Sequence, residues 1–225
     1  MAMDEVYIRF YWLSQSLFSF IPYFIGGLVA GSIVLASNVF LARYLLWQWL
    51  LPTEKAILLT LKARGNSVVN TWMEAITFLA QGQVTIPLLI LSSGLLIAHQ
   101  QAAAALILAI DLGGSWLLNG IFKSFFRRQR PDLWASPNRP MDYSYPSGHS
   151  MSAISFYGLL AFYATHFFSI PLAITVAIAV TLSTIIGFSR VYLGVHWPTD
   201  VLSGWMAGLI WLVACIYGLA QIGAT

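Results

Sequence analysis

Three short clusters hold residue types that handle phosphate. The sharpest is Ser189-Arg190, five residues, His196, three residues, Asp200. If a helix begins near His196, Asp200 lies one turn on, on the same face. An Asp bonded to one imidazole nitrogen fixes the tautomer and leaves the other nitrogen free to attack. The structural reading of the same residues is a His–Asp pair stapling a span to its loop. The second cluster is Lys123, six residues, Arg130-Pro131. Lys and Arg clamp phosphate oxygens, Arg often bidentately; a basic loop at a membrane surface is the plainer reading. The third is Pro146-Ser147-Gly148-His149, just before an apolar run. Ser147 can cap the helix that follows, whose free N–H groups attract an anion. Gly148 lets backbone approach a ligand, and His149 carries a proton near neutrality. A helix cap beside an interfacial His accounts for those four residues equally well.

The setting sharpens all three. The chain is 59% hydrophobic and 8% charged, against about 25% charged in an ordinary soluble domain. Several apolar runs approach 20 residues, the length of a membrane crossing. A charge within such a run costs about 2.5–3.5 kcal/mol on insertion scales, so charges kept beside the runs point to function. The net charge is +3, with bases scattered between runs rather than massed on one surface, so no nucleic-acid partner is expected. Cys215 is the single cysteine and reads as a packed, inert thiol. Asp4 and Glu5 precede the first base, Arg9. That is unlike the basic start of a cleaved signal, so the first apolar run is expected to remain as an anchor.

The elements that must position these residues follow from the apolar pattern. Residues 1–20 are amphipathic and aromatic, an interfacial helix leading into a span. Spans are expected over about Ile21 to Leu46, Trp72 to Ala98, Ala102 to Phe122, Ser150 to Phe168, Pro171 to Phe188 and Pro198 to Leu219. Residues 52–70 suggest a short surface helix ended by Gly65 and Asn66. Gly82 and Pro87 are the expected bend in the second span, with neighbouring helices satisfying the freed carbonyl. Gly27/Gly31 and Gly204/Gly208 are GxxxG pairs that permit close helix approach. Four prolines between Lys123 and Ser147 argue against regular helix there. The fold class is therefore all-α: one polytopic domain over 1–225, a bundle of six transmembrane helices with an interfacial N-terminal helix. An even number of spans puts segments 52–70, 123–149 and 189–198 on one face.

Taken together and in order, the three clusters resemble the signature of the type 2 phosphatidic acid phosphatase superfamily. That pattern is Lys, six residues, Arg-Pro; Pro-Ser-Gly-His; then Ser-Arg, five residues, His, three residues, Asp. Every motif position is met here, from Lys123 to Asp200. The resemblance implies a six-helix membrane fold and metal-independent hydrolysis of a lipid phosphate or diphosphate through phosphohistidine, without a cofactor. It implies His196 as nucleophile, Asp200 as its partner and His149 as the acid for the departing oxygen. Lys123, Arg130, Ser147, Gly148 and Arg190 would hold the phosphate. Phosphatidylglycerophosphate, phosphatidate and undecaprenyl diphosphate all fit such a site. A neutral His196 working with a protonated His149 leads to a bell-shaped rate–pH profile.

Two other functions fit the same residues: a phosphotransferase passing the phosphoryl group to an alcohol, and a lipid-phosphate carrier without turnover. The resemblance implies a bacterial inner membrane with the site on its outer, periplasmic face. The charge bias conflicts with this, because the positive-inside rule alone would put the motif-bearing face in the cytoplasm. Arg127 and Arg128 read as second-phosphate ligands or as solvated, headgroup-facing bases. Asp111 reads as a functional acid within a span or as one half of a pair with Asn119. Glu74 reads as interfacial.

Overall fold

The computed structural model describes residues 21–34, 36–37, 47–134 and 140–222, all helix, turn or loop without a strand. In chain order the helices are α1 (Ile21–Val34), α2 (Trp47–Arg64), α3 (Ser67–Phe78), α4 (Gly82–Ala98), α5 (Ala102–Phe126), α6 (Gly148–Ser152), a π-helical turn (Ala153–Tyr157), α7 (Gly158–Phe168), α8 (Leu172–Tyr192) and α9 (Pro198–Gln221). Helix α6, the π turn and α7 form one rod.

The rod, α5, α8 and α9 are each long and apolar enough to cross a membrane. The α3–α4 pair passes as a fifth crossing bent by 42°. At 1.5 Å per residue, about 20 residues span the hydrocarbon. Helix α1 is apolar but shorter than that. The expected span of 21–46 continues outside the described residues, as does the expected interfacial helix of 1–20.

Helix α8 shows how these helices suit lipid. Leu172, Ile174, Ile178 and Val180 are exposed, while Thr175, Ser183 and Ser189 are buried. Water would reward the opposite arrangement; in hydrocarbon, polar groups belong inside the bundle.

Two expected devices take definite form. Gly204 and Gly208 let α9 pass against the start of the rod: a Cβ at Gly204 would stand 2.6 Å from the Ser147 carbonyl oxygen. Gly27 lets α1 approach α9, with a built Cβ 3.1 Å from that of Ala214. The bend in the second span falls at Leu79–Gln81, immediately before Gly82, and α4 continues through Pro87. The Leu79 carbonyl freed there accepts from the Tyr157 hydroxyl at 2.6 Å, which satisfies a group that would be costly in lipid.

Candidate active site

The three clusters converge. Helix α5 runs to Phe126 rather than stopping near Phe122, so Lys123 sits in its last turn. Arg127 closes the helix in the left-handed region, at φ 49°, with its N–H bonded to the Lys123 carbonyl. The chain then turns inward. Arg130 reaches the α8–α9 junction, where its Nη1 donates to the Val195 carbonyl at 2.7 Å and lies 2.9 Å from His196 Nε2.

The junction is built by Gly194, whose φ of 67° suits glycine. The N–H groups of Val195 and His196 both bond back to the Arg190 carbonyl. Arg190 is helical, in the last turn of α8, rather than in a loop. Its Nη1 donates to Thr77 Oγ1 at 2.7 Å, and its Nε has no partner among the described residues.

His196 is 1% exposed. Its Nδ1 stands 3.4 Å from Asp200 Oδ2, one turn into α9 as the spacing predicts. Asp200 accepts from four directions: the Trp197 N–H at 2.9 Å, the Ser144 hydroxyl, His196, and Arg128 Nη1 at 2.5 Å on the other oxygen. The tautomer follows from chemistry. A guanidinium only donates, so Nε2 beside Arg130 must be the lone-pair nitrogen. Nδ1 then carries the proton toward Asp200. Burial pushes the imidazole pKa down to about 3 against the pull of Asp200, with Arg130 and Arg190 adding to the depression. At neutral pH the ring is therefore neutral, with its bare nitrogen facing the cationic side of the site.

Ser147 is the N-cap of α6. Its oxygen accepts from Ser150 N–H at 3.4 Å and Ser150 Oγ at 2.9 Å, and its own N–H donates to the Asp200 carbonyl. In this arrangement Ser147 fastens the two helix starts together. His149 Nε2 is buried without a partner among the described residues. Gly148, His149 and Lys123 line a cavity of about 450 Å³ together with Gln81, Gln83 and Trp116.

Five residues of the site were not singled out from the sequence: Asp142, Ser144, Thr77, Glu54 and Thr199. Arg128, read as solvated or phosphate-binding, is instead buried. It bridges Asp200 and Glu54, the latter at 2.6 Å, between the rings of Trp47 and Trp197. Glu54 in turn accepts from the Thr199 N–H and hydroxyl. The reason is economy of charge: two buried carboxylates need a cation between them. The sequence signal was Arg128 beside the motif and Glu54 as an acid in an apolar helix. Arg127 is exposed. Asp111 is buried, but not paired with Asn119, whose amide donates to the Pro146 carbonyl at 3.1 Å.

Known proteins share this architecture. Over 145 residues, 63% of this chain and 71% of the relative, the sequence is 33% identical to phosphatidylglycerophosphatase B of Bacillus subtilis (strain 168). Over 119 residues, 51% of this chain and 54% of the relative, it is 30% identical to undecaprenyl-diphosphatase of Sulfolobus acidocaldarius. A crystal structure of a transmembrane PAP2 type phosphatidylglycerolphosphate phosphatase from Bacillus subtilis matches with a TM-score of 0.75 at 27% identity, covering 84% of this chain and 94% of that one. The family model described as the PAP2 superfamily spans residues 102–223, from the first residue of α5 to just beyond α9. The chain belongs to the PAP2 superfamily.

Proposed function

We propose that this protein is a single-domain integral membrane phosphatase that removes the terminal phosphate of a lipid phosphate or diphosphate through a phosphohistidine. The observation that carries this reading is His196. It is a buried, neutral imidazole whose Nδ1 faces Asp200 at 3.4 Å and whose bare Nε2 faces Arg130 at 2.9 Å.

The Nε2 lone pair attacks phosphorus, and the bond from phosphorus to the lipid oxygen breaks. His149 gives its proton to that oxygen, so the lipid leaves as a neutral alcohol, or as the shorter phosphate from a diphosphate. Asp200 stabilises the positive charge that grows on the ring. Lys123, Arg130 and Arg190 take the charge on the phosphoryl oxygens, with the Gly148 amide at the helix start. Water then attacks phosphorus, the P–N bond breaks, its electrons return to Nε2, and His149 recovers a proton from the water. Positioning and fixed charge are what phosphoryl transfer needs most.

The similarity to phosphatidylglycerophosphatase B and undecaprenyl-diphosphatase supports phosphatidylglycerophosphate and undecaprenyl diphosphate as substrates, and the family resemblance adds phosphatidate. One competition assay tests the whole reading. Offered the three lipids together in detergent, the wild-type protein releases phosphate from at least one. His196→Ala releases it at a rate lower by at least about a thousandfold. A variant with near wild-type turnover would remove His196 as nucleophile.

A further inference from the structure

The site holds an internal anion. Asp142 lies in the loop between α5 and α6, and its side chain is 51% exposed. One carboxyl oxygen sits 2.5 Å from Lys123 Nζ, the other 2.6 Å from Arg130 Nη2. The Asp142 carbonyl also accepts from Arg130 Nε at 2.9 Å. Two of the three cations assigned to phosphate are thus engaged by one loop residue. Two polar atoms nearby are not engaged: Arg190 Nε and His149 Nε2 are buried without partners among the described residues. A carboxylate has two oxygens to offer and meets two of these groups. A tetrahedral phosphate dianion has more oxygens and can meet all four. Lys123, Asp142 and His149 line the same cavity.

We propose that Asp142 is an affinity-setting residue: its carboxylate is a built-in counter-anion on Lys123 and Arg130 that an incoming phosphate must displace. This rests on the reading of these cations as the phosphate site. The device has a physical use. Lys123, Arg130 and Arg190 are close enough to repel one another, and a charge-neutralising side chain holds them together between substrates. The same competition loosens the phosphate product. Being half in water, the side chain can leave its partners without vacating a packed core. Partial burial disfavours the ionised carboxyl, yet Lys123 and Arg130 hold its pKa at about 2. The counter-anion is therefore charged at every working pH.

The test is phosphate binding by the detergent-solubilised full chain in a His196→Ala background, where no turnover interferes. Inorganic phosphate is titrated against thermal unfolding. Asp142→Asn and Asp142→Ala should bind phosphate roughly five- to tenfold more tightly than the His196→Ala parent, the worth of one or two lost exposed ion pairs. On the active protein, Asp142→Asn should lower KM for the lipid and sharpen inhibition by phosphate together. If these variants unfold without phosphate, saturating phosphate should rescue them; unfolding that phosphate does not rescue overturns the proposal. So does phosphate affinity that is unchanged or weaker, which would make Asp142 a fixed organiser of the two cations. A parent that binds no phosphate, beside a wild type that hydrolyses no lipid phosphate, would instead remove the site reading itself.

Discussion

A histidine can attack phosphorus only while one nitrogen is bare, and His196 is kept that way by its surroundings. Arg130 has only protons to offer Nε2, and Asp200 accepts from the Nδ1–H. Burial depresses the imidazole pKa from 6.5 to about 3. This changes the pH behaviour expected from the sequence. Protonation of the nucleophile removes no activity above about pH 4, so the acid limb of the bell leaves the working range. Between pH 5 and 9, kcat/KM should show no acid-side fall from His196, once the substrate's own second ionisation near 6 is allowed for. Stability follows with a definite sign. The unfolded imidazole gains its proton near 6.5, whereas the folded one waits until about 3. The unfolded state therefore binds more protons between those values, and stability falls as pH drops through that window. Thermal unfolding at pH 7.5 and pH 5 should show this loss, and it should be smaller in His196→Gln. An equal loss in that variant would mean that His196 does not contribute.

At the scale of the helix, the question is what holds α2 and α9 to the end of α5. Arg128 does so by bridging Glu54 of α2 and Asp200 of α9, with Thr199 closing the ring of bonds. The guanidinium also lies 4.6 Å from the centre of the Trp47 ring, a cation–π contact. Removing one member of a buried ion pair costs about 3–5 kcal/mol, because the partner is left charged and alone. Arg128→Met strands two carboxylates and should lose at least that much by denaturant or thermal unfolding. Glu54→Gln keeps the Arg128–Asp200 pair and should lose less. Adding Glu54→Gln to Arg128→Met should recover part of the loss, since one stranded charge is gone. Additive losses in that cycle would show that Glu54 and Arg128 are not coupled.

At the scale of the molecule, all three clusters open on one end of the bundle, so orientation decides which compartment supplies substrate. The bases on that end favour the cytoplasm by the positive-inside rule. The resemblance favours the outer face of a bacterial inner membrane, and that is the side expected. Met141 is fully exposed beside the site, and the single native cysteine, Cys215, is buried. In intact cells, Met141→Cys should react with a membrane-impermeant maleimide. Labelling only after the membrane is opened would place the site in the cytoplasm.

The division between chain and fold runs along the same scales. Local rules were enough for the helices, because apolar length and capping act over neighbouring residues: the fourth and sixth spans begin at Gly148 and Pro198, within two residues of expectation. Ends set by more distant contacts drifted. Helix α5 runs to Phe126 and α8 to Tyr192, since Lys123 finds Asp142 in the loop and Arg190 finds Thr77 inside the bundle, and the helix need not stop before them. The pairing of His196 with Asp200 was legible because both lie on one helical turn. By itself, then, the sequence determined the apolar helices, the order of the clusters and the chemistry their residue types allow. Only the tertiary structure decided which charges meet. Asp142 came to lie between two cations and Arg128 between two carboxylates because a buried charge must find its opposite across space, whatever its distance along the chain.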